Sequence, residues 1–356
     1  MSPFDDSRLD DEYALNSADP VLRELATAGA RVRREVADAA EALDQVLRAH
    51  DGVRPRAVVA AGPDSRLLRA VLEPWCPVPF VAWPNPSLPG WAGSLDLVVV
   101  LAPEGGDTGA ASAIAEAVRR GCQVVVAAPS GSVVAEHAVG RDTVLLPAAS
   151  GDQLATAVVM LSYLSKVGLG PQTDPEGVAT ALDEIAVSCS PYVDQTENPA
   201  KLLAIGLAEA TPILWGGSVL AARAARRVAE AIRRSSGRAA LAADAEHLLP
   251  ILASAPQADL FADPFADPSW DTGGDSGDAE ELRPTLVIFD DGSQDAAVRV
   301  DRGRLVVAAE ERHVRVETVA STAPTELARY AALLATGWYA AAYLGIGLDV
   351  VGVESA

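Results

Sequence analysis

At 356 residues, 49% of them apolar, the chain exceeds a single typical core and has enough apolar material for two. A net charge of −21 excludes nucleic acid as a partner, because no strong basic patch offsets the repulsion of its phosphates. The three cysteines, Cys76, Cys122 and Cys189, fit neither a disulfide framework nor a zinc spacing, which places the protein in a reducing cytoplasm and implies no metal.

The opening stretch, MSPFDDSRLDDEYALNS, is acidic and lacks an apolar core, so no signal peptide is expected. Asp19-Pro20 is a helix start, a capping residue followed by proline, and predicts a helix to about His50 with a break near Gly29. Strands follow over 56–61 and 78–83, separated by the loop Gly62-Pro63-Asp64-Ser65 and a helix over 65–75. Leu97 to Ala102 is a continuous apolar run of strand length, which suits a parallel strand buried on both faces. It feeds the loop Pro103-Glu104-Gly105-Gly106-Asp107, with Thr108 in the N-cap position of a helix over 109–120. A second apolar strand, 122–128, completes a right-handed crossover unit, whose functional crevice lies beyond the carboxyl ends of its strands. A fourth strand is expected over 143–146 and an amphipathic helix over 151–166.

The second half repeats this grammar. Helices are expected from Asp174-Pro175 to about Ser188 and over 200–210, then a strand over 211–215 ending in Gly216-Gly217-Ser218 and a long helix over 219–236. Two strand–Gly-loop–helix units, near residues 57 and 211, suggest a duplicated domain. No lysine or arginine stands between Arg238 and Arg283, and 254–283 reads as an acidic disordered loop, either a plain surface insertion or a docking segment offering Phe261, Phe265 and Trp270 to a protein partner. Strands over 285–289, 305–307 and 314–319 and a helical segment from Asp295 close the second domain. The uncharged run from Tyr330 to Leu348 is as long as a bilayer span, but its Ala, Gly, Thr and Tyr content marks a buried core helix, so no membrane partner is expected. The fold class is therefore α/β, two mostly parallel sheets flanked by helices, with boundaries at 1–166 and 167–356 and a C-terminal helix.

With these elements in order, the chain resembles the bifunctional phosphoglucose/phosphomannose isomerases, which pair two sugar-isomerase (SIS) domains. The resemblance runs from about Leu9 to Val351 and rests on five stretches. These are the Asp19-Pro20 start, the strand leading to Gly62 and Ser65, the 95–129 unit, Asn198-Pro199-Ala200-Lys201, and the Gly217-Ser218 loop; the tail ATGWYAAAYLGIGLD adds to them. It implies two SIS-type domains, a homodimer, no organic cofactor, and a hexose phosphate bound at hydroxyl-rich loops under helix N-termini, where backbone N–H groups attract anions. By this resemblance the sugar-phosphate residues are Gly62, Ser65, Gly105, Gly106, Thr108, Gly217 and Ser218.

The departures are chemical. The family's loop, Ser-x-Ser-Gly-x-Thr, falls on Ala102 to Thr108, where both serines are gone and Glu104 and Asp107 bring charge that repels a dianion. The family's base glutamate falls on Arg233 or Arg234, with Glu230 one turn earlier as the nearest substitute; its alternative role is an i,i+4 ion pair with Arg234. His247 lies within about three residues of the family's ring-opening histidine, and its alternative role is structural. The family's C-terminal lysine has no counterpart after Lys201. Arg223, Arg226, Arg227, Arg233 and Arg234 share one helix, and either ion-pair with acidic neighbours or hold a relocated anion through Arg223 and Arg227. The expectation is a sugar-phosphate isomerase-like protein of glucose- and mannose-6-phosphate type with weak or lost activity, or a catalytically degenerate sensor or regulatory relative.

Overall fold

The chain opens with a 3-10 turn (Asp6–Leu9) and helix α1 (Glu12–Ser17), followed by α2 (Asp19–Ala26) and α3 (Ala28–Ala49). The computed structural model describes residues 3–49, 52–256 and 283–350; the acidic stretch carrying Phe261, Phe265 and Trp270 lies outside them. The helix started by Asp19 breaks at Thr27, two residues before Gly29. Gly29 sits inside α3, where a Cβ would fall 2.1 Å from an Asp183 oxygen and 2.6 Å from the Ala179 carbonyl, so its role is close helix packing.

The first sheet comprises β1 (Val58–Ala61), β2 (Phe80–Trp83), β3 (Leu97–Leu101), β4 (Gln123–Ala128) and β5 (Thr143–Pro147), with α4 (Ser65–Leu72), α5 (Thr108–Arg119) and the short α6 (Val133–His137) between strands. All strands are parallel, in the order β2-β1-β3-β4-β5, with Val58 opposite both Phe80 and Leu97. The central strands are apolar throughout and fully buried, and one face packs on Ala110, Ala113, Ile114 and Ala117 of α5. Helix α7 (Gln153–Lys166) is buried from Leu154 to Leu164, so it is a core helix and not the amphipathic one expected.

At the amino end of this sheet, Asp96 is fully buried and holds Arg56 Nε at 2.9 Å and Nη2 at 2.5 Å, with Gly93 N–H at 2.8 Å. Burial alone would raise its pKa, but the guanidinium and the N–H groups outweigh it and hold Asp96 below the usual carboxylate range. A depressed folded-state pKa stabilises the fold above the unfolded value of about 4, and that contribution is lost as pH falls through the folded value. Urea midpoints of the parent and Asp96→Asn should therefore differ most near pH 7 and converge as pH falls below the usual carboxylate range; a pH-independent gap would refute the assignment.

The remaining elements are α8 (Pro175–Ser188), α9 (Pro199–Leu207), β6 (Ala210–Gly216), α10 (Val219–Ser236), β7 (Leu241–Ala242), α11 (Ala245–Ser254), β8 (Arg283–Asp290), α12 (Ala296–Glu311), β9 (Arg315–Ala320) and α13 (Glu326–Gly347). The second sheet is again all parallel, ordered β7-β6-β8-β9. Within each lobe the strands thus stand second, first, third, fourth, and this shared order is what a duplicated domain requires. Residues 305–307, expected as a strand, lie inside α12, where Leu305 and Ala309, four apart, are both buried against the sheet.

Two compact units result. One contains Arg23–Val187 with Ala323–Ala332, the other Met1–Leu22, Ser188–Thr322 and Leu333–Ala356. The boundary drawn after Lys166 falls inside the first, because Arg33 on α3 bonds Glu176 and Asp183 of α8 at 2.8 and 2.6 Å. The leading segment joins the second unit, where Arg8 Nε donates to the Ile346 carbonyl at 2.8 Å and Asp10 meets Lys201. Among the described residues no helix is long and apolar enough to cross a membrane.

Candidate functional site

In a parallel sheet of this order, the chain leaves β1 toward one side and returns across it to β3, and ligands settle where those two directions part. The first lobe places Gly62, Ser65, Gly105, Gly106 and Thr108 there, on the loops after β1 and β3. Gly62 has φ +89° and lets α5 approach, with Ala110 Cβ only 3.4 Å from where its own Cβ would be. Gly105 has φ +71°, and a Cβ there would strike Ser132 at 2.4 Å. Ser65 is fully buried, and its hydroxyl has no partner among the described residues.

The decisive feature is the cap of α5. It is Asp107, not Thr108: the Asp107 carboxylate accepts the Ala110 N–H at 2.5 Å, and Thr108 is the first helical residue, exposed. A carboxylate of the chain itself thus occupies the helix end where a phosphate would bind, and Glu104 stands exposed in the same loop.

The second lobe repeats the arrangement. The loop after β8 is the counterpart of the loop after β3, and Asp295 caps α12 by accepting the Ala297 N–H at 2.7 Å. The loop after β6 brings Gly217 and Ser218, whose hydroxyl accepts the Ala221 N–H at 3.0 Å and donates to Asp291. Gly217 is required by contact, since a Cβ would come within 2.3 Å of Val298 on α12. Here, however, cations are present. A cleft of about 30 Å³, room for one water, is bordered by Gly217, Asp290, Asp291, Ser293, Arg299 and Arg302. Arg302 pairs with Asp290, while the exposed Arg299 has no ion pair among the described residues.

The remaining sequence candidates do not converge on this cleft. Glu230 lies eleven residues beyond the start of α10, about 16 Å along its axis, and pairs with Arg227 at 2.6 Å and Arg234 at 4.0 Å. His247 is exposed on the first turn of α11, with no side-chain hydrogen bond among the described residues. The α10 arginines are largely committed: Arg226 to Asp244, Arg227 to Glu230, Arg233 to the Ala240 carbonyl. Arg223 is half-buried, with a buried Nε that has no partner. Sequence reasoning missed Arg299 and Arg302, which no motif marks; their signal is position, on the first turns after the acidic loop that mirrors residues 102–108. Among the described residues, no three His, Cys, Asp or Glu side chains cluster to hold a metal.

The two lobes share one architecture, a parallel sheet flanked by helices with a glycine-bearing loop after its first strand. Residues 196–353 match the bacterial phospho-glucose isomerase C-terminal SIS domain. No curated protein matches the chain in sequence. Among solved structures, it is similar to tagatose-6-phosphate ketose/aldose isomerase from Escherichia coli, with 13% identity, a TM-score of 0.61 and coverage of 98% of this chain and 96% of that one. It is similar also to a glucose-6-phosphate isomerase-like protein from Thermus thermophilus, at 19% identity, a TM-score of 0.53 and coverage of 95% and 92%. The C-terminal domain of glucosamine-fructose-6-phosphate aminotransferase from Francisella tularensis shares the fold at 10% identity, a TM-score of 0.56 and coverage of 90% and 96%. Residues 196–353 thus carry a SIS domain of the bacterial phospho-glucose isomerase type, and the chain as a whole shares the fold of these solved structures.

Proposed function

We propose that this protein binds a hexose phosphate on the second lobe, over the mouth of the narrow cleft bordered by Arg299, Arg302 and Gly217 rather than inside it, and that it senses the ligand without isomerising it. The observation that carries the reading is the pair of aspartate caps, Asp107 on α5 and Asp295 on α12, at the helix ends that face the two crevices. They supply charge that repels phosphate in the first lobe, where residues 102–108 include no arginine, whereas the second lobe sets two guanidinium groups, one of them without an ion pair among the described residues, among its three carboxylates. Moving a proton between adjacent sugar carbons needs a base within hydrogen-bond reach of the substrate. Glu230, held by two arginines far along α10, and His247, exposed on α11, support loss of that step. A homodimer in the cytoplasm, serving carbohydrate metabolism in a regulatory role, completes the reading.

The test combines turnover and binding. Purified protein should convert neither glucose 6-phosphate nor mannose 6-phosphate to fructose 6-phosphate, yet its thermal midpoint should rise by a few degrees with millimolar ligand. Arg299→Gln/Arg302→Gln should abolish that rise, at a cost of at least tenfold in affinity. Turnover that disappears in Glu230→Ala or His247→Ala would make the protein an isomerase instead. A ligand-independent midpoint would leave neither reading standing.

A further inference from the structure

At the opposite end of the second sheet from this crevice, where β6 and β8 begin, lies a cavity of about 490 Å³, in the size range of small-metabolite sites. Three observations mark it as a built site. Thr285, a polar residue only 3% exposed, lines it. Second, α12 ends on His313 in the left-handed region, at φ 53°, whereas α5 and α10 end on glycines at φ 70° and 67°. A side chain is disfavoured in this conformation, which glycine adopts freely. Here an imidazole is kept at that cost and lines the cavity.

Third, the lining carries both signs of charge from different elements. The guanidinium groups of Arg283 and Arg315 come from the starts of β8 and β9, with His313 just before β9, while the carboxylates of Asp6 and Glu209 come from the leading turn and the α9–β6 connection. Arg315 is already paired with Glu317 at 2.5 Å, and Arg283 donates to the Pro256 and Arg312 carbonyls at 3.0 and 3.3 Å, so the basic groups are held in place. We infer that this cavity binds a small organic zwitterion, its acid group on the basic side and its ammonium on the Asp6 and Glu209 carboxylates, with Thr285 bonding a polar atom between them. The inference is independent of the crevice reading.

Glucosamine 6-phosphate and glucose 6-phosphate differ by one amino group and serve as the probe pair in calorimetric titrations of the full chain. Glucosamine 6-phosphate should bind at least about tenfold more tightly, the scale of one charge-assisted hydrogen bond. That preference should vanish in Thr285→Val and in His313→Gly and survive Arg302→Gln. His313→Gly should also leave the unfolding midpoint unchanged or higher, which separates lost binding from lost folding. Equal affinity for the two probes, no binding of either, or a preference lost in Arg302→Gln and kept in His313→Gly would each overturn the inference.

Discussion

Lys201→Met is expected to lower stability by about 3 kcal/mol, toward the lower end of what breaking a buried ion pair costs. Lys201 is 0% exposed. Its three ammonium hydrogens are all engaged: the Asp10 carboxylate at 2.7 Å and the Pro191 and Val193 carbonyls at 2.9 Å each. The ammonium also stands 5.5 Å from the centre of the Tyr343 ring, and Tyr343 donates to the Cys189 carbonyl at 2.7 Å. Methionine keeps the volume but leaves two carbonyls without donors and Asp10 without its cation. Because the Asp10 side chain is 43% exposed, water recovers part of its loss, so Asp10→Asn should cost only about 1 kcal/mol. Denaturant midpoints measure both. A cost below about 1 kcal/mol for Lys201→Met, or equal costs for the two variants, would show that the lysine is not the anchor of this cluster. The same cluster shields Cys189, whose thiol is pushed up to about 11 by burial, so it has no part in thiolate chemistry.

That anchor explains why Asn198-Pro199-Ala200-Lys201 reads so clearly in the sequence. Asn198 caps α9 through the Ala200 and Lys201 N–H groups at 3.0 and 3.1 Å, Pro199 occupies the first turn, and Lys201 fastens the result to the leading segment. Cap, proline and periodicity are local signals, and elements that rest on them, such as β3–α5–β4 and α10, are legible. Elements whose existence depends on partners are not. β7 is two residues long and is held by pairing with Ile213 and Leu214, and Leu305 to Val307 have β-branched character but a helical partner face. The crevice was legible in its glycines and opaque in its charges. Asp107 as cap and Arg299 with Arg302 at the cleft depend on which loop faces which across two strands, and spacing in one chain does not contain that.

Gly216→Ala carries the other large expected effect, a loss of about 3 kcal/mol or more, and it distinguishes two uses of glycine within one lobe. Gly216 ends β6 in an ordinary backbone conformation, so strain in φ is not the issue. A Cβ there would lie 2.2 Å from the carbonyl carbon of Ala221, 2.4 Å from its oxygen and 2.4 Å from the Ala222 nitrogen. All three are backbone atoms of α10, so no rotamer change relieves the clash; the helix itself must shift away from the strand. Because Ser218 caps α10, that shift also moves the hydroxyl facing Asp291 and the Gly217 contact with Val298, and the proposed sugar-phosphate binding should fall with stability. Gly292, in the loop after β8, is the control. It has φ +73° with nothing within 4 Å of an added Cβ, so Gly292→Ala should cost only about 1 kcal/mol, from the left-handed conformation alone. Equilibrium unfolding of the two variants in parallel decides the matter: similar losses would mean that α10 yields easily, and that the strand–helix approach does not set the position of the crevice.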